Sequence, residues 1–245
     1  MRDGYLNFYR HGQSVARVRV QRDGGLASEV HWKYVWPSTF SAPTGGYAVL
    51  QGDQAGLADL PPVTYQGQPT LQAWVHAAEQ YAGFEKRRVD AMVADNARVL
   101  DVEIGLPGRA LRIDLVELEA DESGLWLQCV EVKLSRDKRV RCAGPRPEVL
   151  DQLEDYRSFL GDQGNAGAVA RAYGETARVL VELADLATRA GNPVRLDPLV
   201  ERACSERIQV RPTVALAVAV DGEDPNWSNI HRQKLIDAGV ELRDV

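Results

Sequence analysis

The sequence predicts an α/β protein in which a small antiparallel β element precedes a mixed sheet flanked by helices. Three observations carry that prediction. Residues 1–66 are rich in aromatic and turn residues and alternate apolar with polar at a period of two; from Thr70 the apolar residues recur at helical spacing; and beyond Arg98 strand-like and helix-like runs interleave. The larger part reads, in order, helix, three strands, helix, helix, strand, helix, strand.

Each element has its own signal. "NFYRHGQSVARVRVQRDGGLASEVHWKYVWP" (7–37) alternates like strands, with Asp23-Gly24-Gly25 as a hairpin turn. Trp32, Tyr34 and Trp36 fall two apart, on one face of an expected strand, and are assigned to packing. "QGDQAGLADLPPVTYQGQP" (51–69) has no periodicity and reads as a connection, which divides the chain into a β-rich element, 1–66, and a main domain, 67–245. Leu71, Trp74, Val75, Ala78, Ala82, Val89 and Val93 share one face of a single long helix that Thr70 would cap. "RVLDVEIGL" (98–106), "ALRIDLVELE" (110–119) and "LWLQCVEVKLS" (125–135) are three strands in adjoining hairpins, joined by "PGR" and "ADESG". "RPEVLDQLEDYRSFLGD" (146–162) and "GETARVLVELADLATRAG" (174–191) are helices. "RPTVALAVAV" (211–220) is apolar almost throughout, as in a strand covered on both faces, and the tail is a helix and a short strand.

Composition narrows the class. With 245 residues, 44% of them hydrophobic and 26% charged, the chain has the make-up of an ordinary globular protein with a sizeable core. No apolar run reaches the ~18 residues of a membrane span, and "MRDGYLNFYRHGQ" lacks the apolar stretch of a signal peptide, so a cytoplasmic protein without a membrane partner is expected. Cys129, Cys142 and Cys204 are odd in number and form no Cys-x-x-Cys, which argues against a disulfide framework, a zinc site or an iron-sulfur cluster. A net charge of −6 argues against a wholly basic nucleic-acid coat while leaving local patches open. Of 29 basic residues only those at 33, 86, 133, 138 and 234 are Lys.

Three charges interrupt the apolar strands. Alternation puts Ile113 and Leu115 on one face of their strand and Asp114 on the other; Glu131 and Lys133 share a face, with Val130, Val132 and Leu134 pointing away. Burying an unpaired carboxylate or ammonium is expensive, so these groups either neutralise each other as an ion pair or hold something. Two acids and one cation leave a carboxylate over, which a divalent metal with oxygen ligands would balance. Lys133 is a Lys in an Arg-biased chain, a compact ammonium able to orient a water or meet a phosphate. Gln152 and Tyr156, at i and i+4 of the following helix, project from one face and could meet the same place.

Asp114 in "RIDLV", Glu131-Val132-Lys133 in "VEVKLS" and Gln152 to Tyr156 in "QLEDY" together resemble the motifs of the PD-(D/E)xK nuclease superfamily, in the branch with a Gln-x-x-x-Tyr element. Ile113 stands where the name-giving Pro does. The resemblance spans residues 70–220, where the helix, three-strand meander, helix and further strand of a restriction-endonuclease-like fold match the order read above. It implies that Asp114 and Glu131 ligate Mg²⁺ or Mn²⁺ with the Val132 carbonyl, that Lys133 positions the attacking water, and that Gln152 and Tyr156 brace the site or touch the phosphate backbone. Glu103, in "DVEIG", is a third acidic candidate for the metal, and Glu79 or Glu85 for a second one. The activity implied is metal-dependent hydrolysis of DNA phosphodiester bonds, by a free-standing nuclease of anti-phage defence or repair that a protein partner recruits or controls. The alternative is a catalytically silent module of the same fold, binding nucleic acid or protein; the intact Asp, Glu and Lys favour the enzyme.

The segment after Lys133, "KLSRDKRVRCAGPRP", sets Arg136, Lys138, Arg139, Arg141 and Arg146 against a single Asp137. Because it leaves the expected metal site, Arg136, Lys138, Arg139 and Arg141 are assigned to the DNA phosphate backbone. "EKRRVD" (85–90) reads as a solvated cluster, and nothing resembles a base-reading helix-turn-helix or zinc finger. Residues 1–66 are left as a partner, dimer or substrate-binding element, and the helices after 165 could hold a homodimer.

Overall fold

A computed structural model of the chain describes residues 5–40, 46–57, 60–107, 111–144 and 146–245. The chain forms two compact units, Arg2–Ala91 and Met92–Val245. The boundary expected at 66/67 thus falls at 91/92, beyond the helix that begins at Gln68. The reason is packing: Trp74 and Ala78 of that helix bury against Val15, Val30, Tyr34 and Ala55 of the N-terminal sheet.

In the first unit, β1 (Tyr5–Arg10), β2 (Gln13–Val20), β3 (Leu26–His31), β4 (Tyr47–Gln51), β5 (Gln54–Gly56) and β6 (Val63–Thr64) form one antiparallel sheet in chain order. Two of its strands, β5 and β6, lie in the stretch read as a connection. The β1–β2 turn depends on glycine: Gly12 has φ +65°, and a Cβ there would stand 2.9 Å from the Lys86 carbonyl oxygen. The strand expected through Trp32, Tyr34 and Trp36 is instead a single helical turn, α1 (Trp32–Val35), started by the His31 side chain accepting from Lys33 N and stopped at Trp36, which precedes Pro37 and is extended. Tyr34 and Trp36 are buried all the same.

The single long helix is two, α2 (Gln68–Glu79) and α3 (Phe84–Asp95). Between them Tyr81 and Ala82 make only short-range bonds to Ala78 O and Glu79 O, and the Tyr81 carbonyl accepts from the buried Gln13 amide at 2.8 Å. That demand for a partner, with Gly83 following, ends the first helix. Thr70 does not cap α2; Gly67, at φ +79°, does, while Thr70 Oγ1 accepts from Gln66 N at 2.9 Å inside the first turn.

The second unit holds a mixed five-stranded sheet in the order β11-β10-β9-β8-β7. The strands β7 (Val99–Gly105), β8 (Arg112–Asp121) and β9 (Gly124–Leu134) are antiparallel neighbours. β10 (Ile208–Ala219) runs parallel to β9, and β11 (Leu242–Asp244) parallel to β10. Gly108 and Arg109 of the expected "PGR" turn lie outside the described residues; "ADESG" makes the β8–β9 turn. Four helices accompany the sheet: α4 (Val149–Gly161), α5 (Gln163–Arg189), α6 (Pro198–Ala203) and α7 (Arg232–Asp237), the last entered through a π-helical turn, Trp227–His231. α5 starts well before the expected Gly174, because Asp162 accepts from Asn165 N at 2.9 Å and caps it past a run of glycines.

Register shows where these helices pack. Val116 lies opposite Cys129 and Leu118 opposite Leu127, and these side chains share one core with Tyr156, Phe159 and Leu160 of α4 and Tyr173 and Ala177 of α5. Leu216 and Val218 of β10 continue the same face and meet Val149 of α4, Trp227 and Leu235. The alternate residues Ala215, Ala217 and Ala219 are also fully buried, so β10 is enclosed on both faces, as its apolar run predicts. Among the described residues no helix is long and apolar enough to cross a membrane.

Candidate active site

The interrupting charges meet under α4. Glu131 and Lys133 follow Leu125, Leu127 and Cys129 on the helix-covered face of β9, and both are buried, at 2% and 3% exposure. The Lys133 ammonium bonds the Glu131 carboxylate at Oε1 and the Val132 carbonyl at 3.2 Å. Gln152, one turn before Tyr156 on α4, donates to Glu131 Oε1 at 2.7 Å and to the Tyr156 hydroxyl at 2.6 Å, using both amide protons. Tyr156 stands 3.1 Å from Glu131 Oε2 and also reaches the Arg112 carbonyl at the start of β8. Burial and the neighbouring Glu131 charge push the Tyr156 hydroxyl well above its ordinary pKa, so it stays protonated and can donate.

Asp114 joins from β8, half-buried, its Oδ2 accepting from Val132 N at 2.8 Å. A carboxylate thereby replaces the neighbouring strand as partner of that amide, just past the last paired residues, Leu115 and Val130. The expected alternation breaks here: Ile113 joins the helix-side core with Val116, three positions on, so β8 changes face across Asp114. On β7, between the pairs Val102–Leu115 and Ile104–Ile113, Glu103 holds φ +52°, a left-handed conformation costly for a residue with a Cβ. Register sets Glu103 opposite Asp114, and its carboxylate lies 3.8 Å from the exposed Arg112 guanidinium. Glu79 and Glu85 belong to the other unit; Glu79 takes Arg10 at 2.7 Å and stands 3.5 Å from His11.

The donors offered to a cation are all oxygens: the Asp114 and Glu131 carboxylates and the Val132 carbonyl, the hard set that Mg²⁺ and Mn²⁺ accept. A divalent ion of that kind fits the donor chemistry. Among the described residues no three His, Cys, Asp or Glu side chains gather into a metal-holding group, and an ion here would complete its shell with water.

The basic segment is largely neutralised. Arg139 clasps Asp137 through its Nε at 3.0 Å, which with that ion pair holds the Asp137 carboxyl below its ordinary range. Arg136 lies 3.4 Å from Asp221 and Arg146 2.7 Å from Asp151. Arg141 ion-pairs with Asp224 and donates to Ser135 O at 2.6 Å; Ser135 Oγ and Trp227 N also bond Asp224. Lys138 is exposed. Of these partners Asp224 was missed in the sequence, though "DGEDPNW" directly after the apolar strand, with an acid before a Pro, marks a capping carboxylate at that sheet end. No protein-family model, no curated protein and no solved structure matches this chain.

Proposed function

We propose that the chain is a metal-dependent nuclease of the PD-(D/E)xK type, with a restriction-endonuclease-like second unit, hydrolysing DNA phosphodiester bonds. One observation carries the reading: Lys133, Gln152 and Tyr156, three side chains from two elements, converge on the Glu131 carboxylate, with Asp114 fastened to the adjoining amide. Asp114, Glu131 and the Val132 carbonyl would hold Mg²⁺ or Mn²⁺, which when bound polarises the phosphodiester and lowers the pKa of an attacking water. Lys133 has three N–H donors; Glu131 and Val132 O engage two, and the third serves the water or a phosphate oxygen. Gln152 and the protonated Tyr156 fix the Glu131 carboxylate in one orientation. A role in DNA defence or repair, under control of a protein partner or in a homodimer, is what the family resemblance implies.

A second reading has its own support. Both Glu131 oxygens already have partners, so the cluster is satisfied as a buried ion pair, and a silent module of the same fold would look alike. Cleavage separates the two: wild type, Lys133→Ala and Asp114→Asn are incubated with linear duplex, closed-circular duplex and single-stranded DNA and Mn²⁺ or Mg²⁺, with melting curves as the control on folding. Cleavage by wild type alone supports the nuclease. If no protein cuts any substrate and Mn²⁺ leaves the wild-type melting temperature unmoved, the ion-pair reading stands.

A further inference from the structure

The N-terminal sheet carries a surface that the nuclease site does not use. Register sets Tyr5 opposite Arg19, Asn7 opposite Arg17, Arg17 opposite Glu29 and His31 opposite Tyr47, so these residues share one face of β1–β4. The other face supplies Ala16, Val30 and Leu50 to the core around Trp74. On the first face the side chains interleave rings and guanidinium groups. Arg17 lies 4.1 Å from the Tyr47 ring centroid and 5.6 Å from that of Tyr5, and its Nη2 donates to the Tyr47 hydroxyl at 2.6 Å. Arg19 covers Tyr5 at 4.9 Å, and His31 meets the Tyr47 ring edge-on at 5.2 Å.

The charge of this surface differs from that of the whole chain. The charged residues in register on this face are Arg17 and Arg19 against Glu29, in a protein of net charge −6. Among the described residues Arg17 pairs with no carboxylate, and its Nε is buried without a hydrogen-bond partner. Arg19 is exposed. Aromatic and guanidinium planes on one sheet face, with a local excess of positive charge, are the chemistry that stacks unpaired bases and receives phosphates. We propose that this face binds single-stranded nucleic acid, with bases against the Tyr5 and Tyr47 rings and phosphates on Arg17 and Arg19.

The proposal stands apart from cleavage, and its test is a binding measurement. Fluorescence anisotropy of a labelled oligothymidylate would be followed with the full chain in EDTA, at low salt and then over a salt series. Wild type is expected to bind, with affinity falling steeply as salt rises. Arg19→Glu, at an exposed position and with a melting curve as the control on folding, weakens binding about tenfold and flattens the salt slope by about one. Tyr5→Ala weakens it about tenfold, whereas Tyr5→Phe, which keeps the ring, stays within about threefold of wild type. In an Asp114→Asn background Arg19→Glu and Tyr5→Ala cause the same relative losses, so a failure of the nuclease reading leaves this result untouched. The proposal is overturned if wild type does not bind, if Arg19→Glu and Tyr5→Ala bind normally, or if a duplex competes as well as the single strand. Concentration-dependent self-association in sedimentation without oligonucleotide binding would likewise overturn it and assign the face to a second copy of the chain.

Discussion

The arginines of the two units are used differently. In the second unit Arg136, Arg139, Arg141, Arg146, Arg211 and Arg243 each meet a carboxylate, so the basic run after Lys133 presents little net charge to an incoming phosphate. In the first unit Arg10 takes Glu79, but Arg17 lies on tyrosine rings without a carboxylate partner among the described residues. A count of charges along a sequence therefore locates a polyanion surface poorly. What decides is whether an acid lies within reach in space, and Asp221 and Asp224, some eighty residues downstream, neutralise what looked like a free basic loop.

The buried pair offers the strongest way to test that contrast. Lys133→Ala leaves Glu131 in the core with only neutral donors, and is expected to cost about 3–5 kcal/mol in urea unfolding of the second unit. Arg17→Ala, which strips no buried carboxylate, is expected to cost well under that. A loss from Lys133→Ala as small as the one expected for Arg17→Ala would mean that Glu131 is solvated in the folded protein and that the cluster is looser than its geometry.

A smaller effect is expected from Tyr156→Phe. It removes one hydroxyl from between Gln152, Glu131 and Arg112 O, and should lower stability by about 1–3 kcal/mol. If the nuclease reading holds, it also lowers cleavage while leaving oligonucleotide affinity unchanged. The loop itself gives a finer comparison. Arg141→Ala releases Asp224 and Ser135 O and should cost about 1–2 kcal/mol, whereas Arg136→Ala, an exposed pair, stays within about 0.5 kcal/mol. Neither should weaken DNA binding as much as Arg19→Glu; a larger loss from the loop variants would return the phosphate contacts to that segment.

The smallest effect is a pH dependence in the first unit. Burial, with Lys33 and Arg17 nearby, lowers the pKa of His31 below its ordinary value. The unfolded chain then takes up a proton more readily than the folded one, so this contribution is complete above the unfolded value of about 6.5 and is lost as pH falls below it. Thermal melts from pH 7.5 to 5.5 should show the decline, and His31→Asn should flatten it.

The site was legible to the extent that it depended on local periodicity. The two-residue spacing of Glu131 and Lys133 placed both on one strand face, and the four-residue spacing of Gln152 and Tyr156 placed both on one helix face; the structure brings the two faces together. Asp114 was legible as an acid in an apolar run, but its bond to Val132 N was not, because it depends on β8 changing face where Glu103 turns left-handed. The helix break at Tyr81 was hidden for a similar reason. Seven apolar positions keep one helical face through it, and only Gln13, on a distant strand, needs the carbonyl that the break releases.

The sequence by itself determined the class of each long element and the faces on which Glu131, Lys133, Gln152 and Tyr156 stand, because strand and helix periods are set by backbone geometry alone. Only the tertiary structure decided the unit boundary after Ala91, the turn in place of a strand at Trp32–Val35, and which arginines find an acid. Those outcomes depend on contacts between residues far apart in the chain, where packing and the cost of a buried unpaired group outweigh local preference.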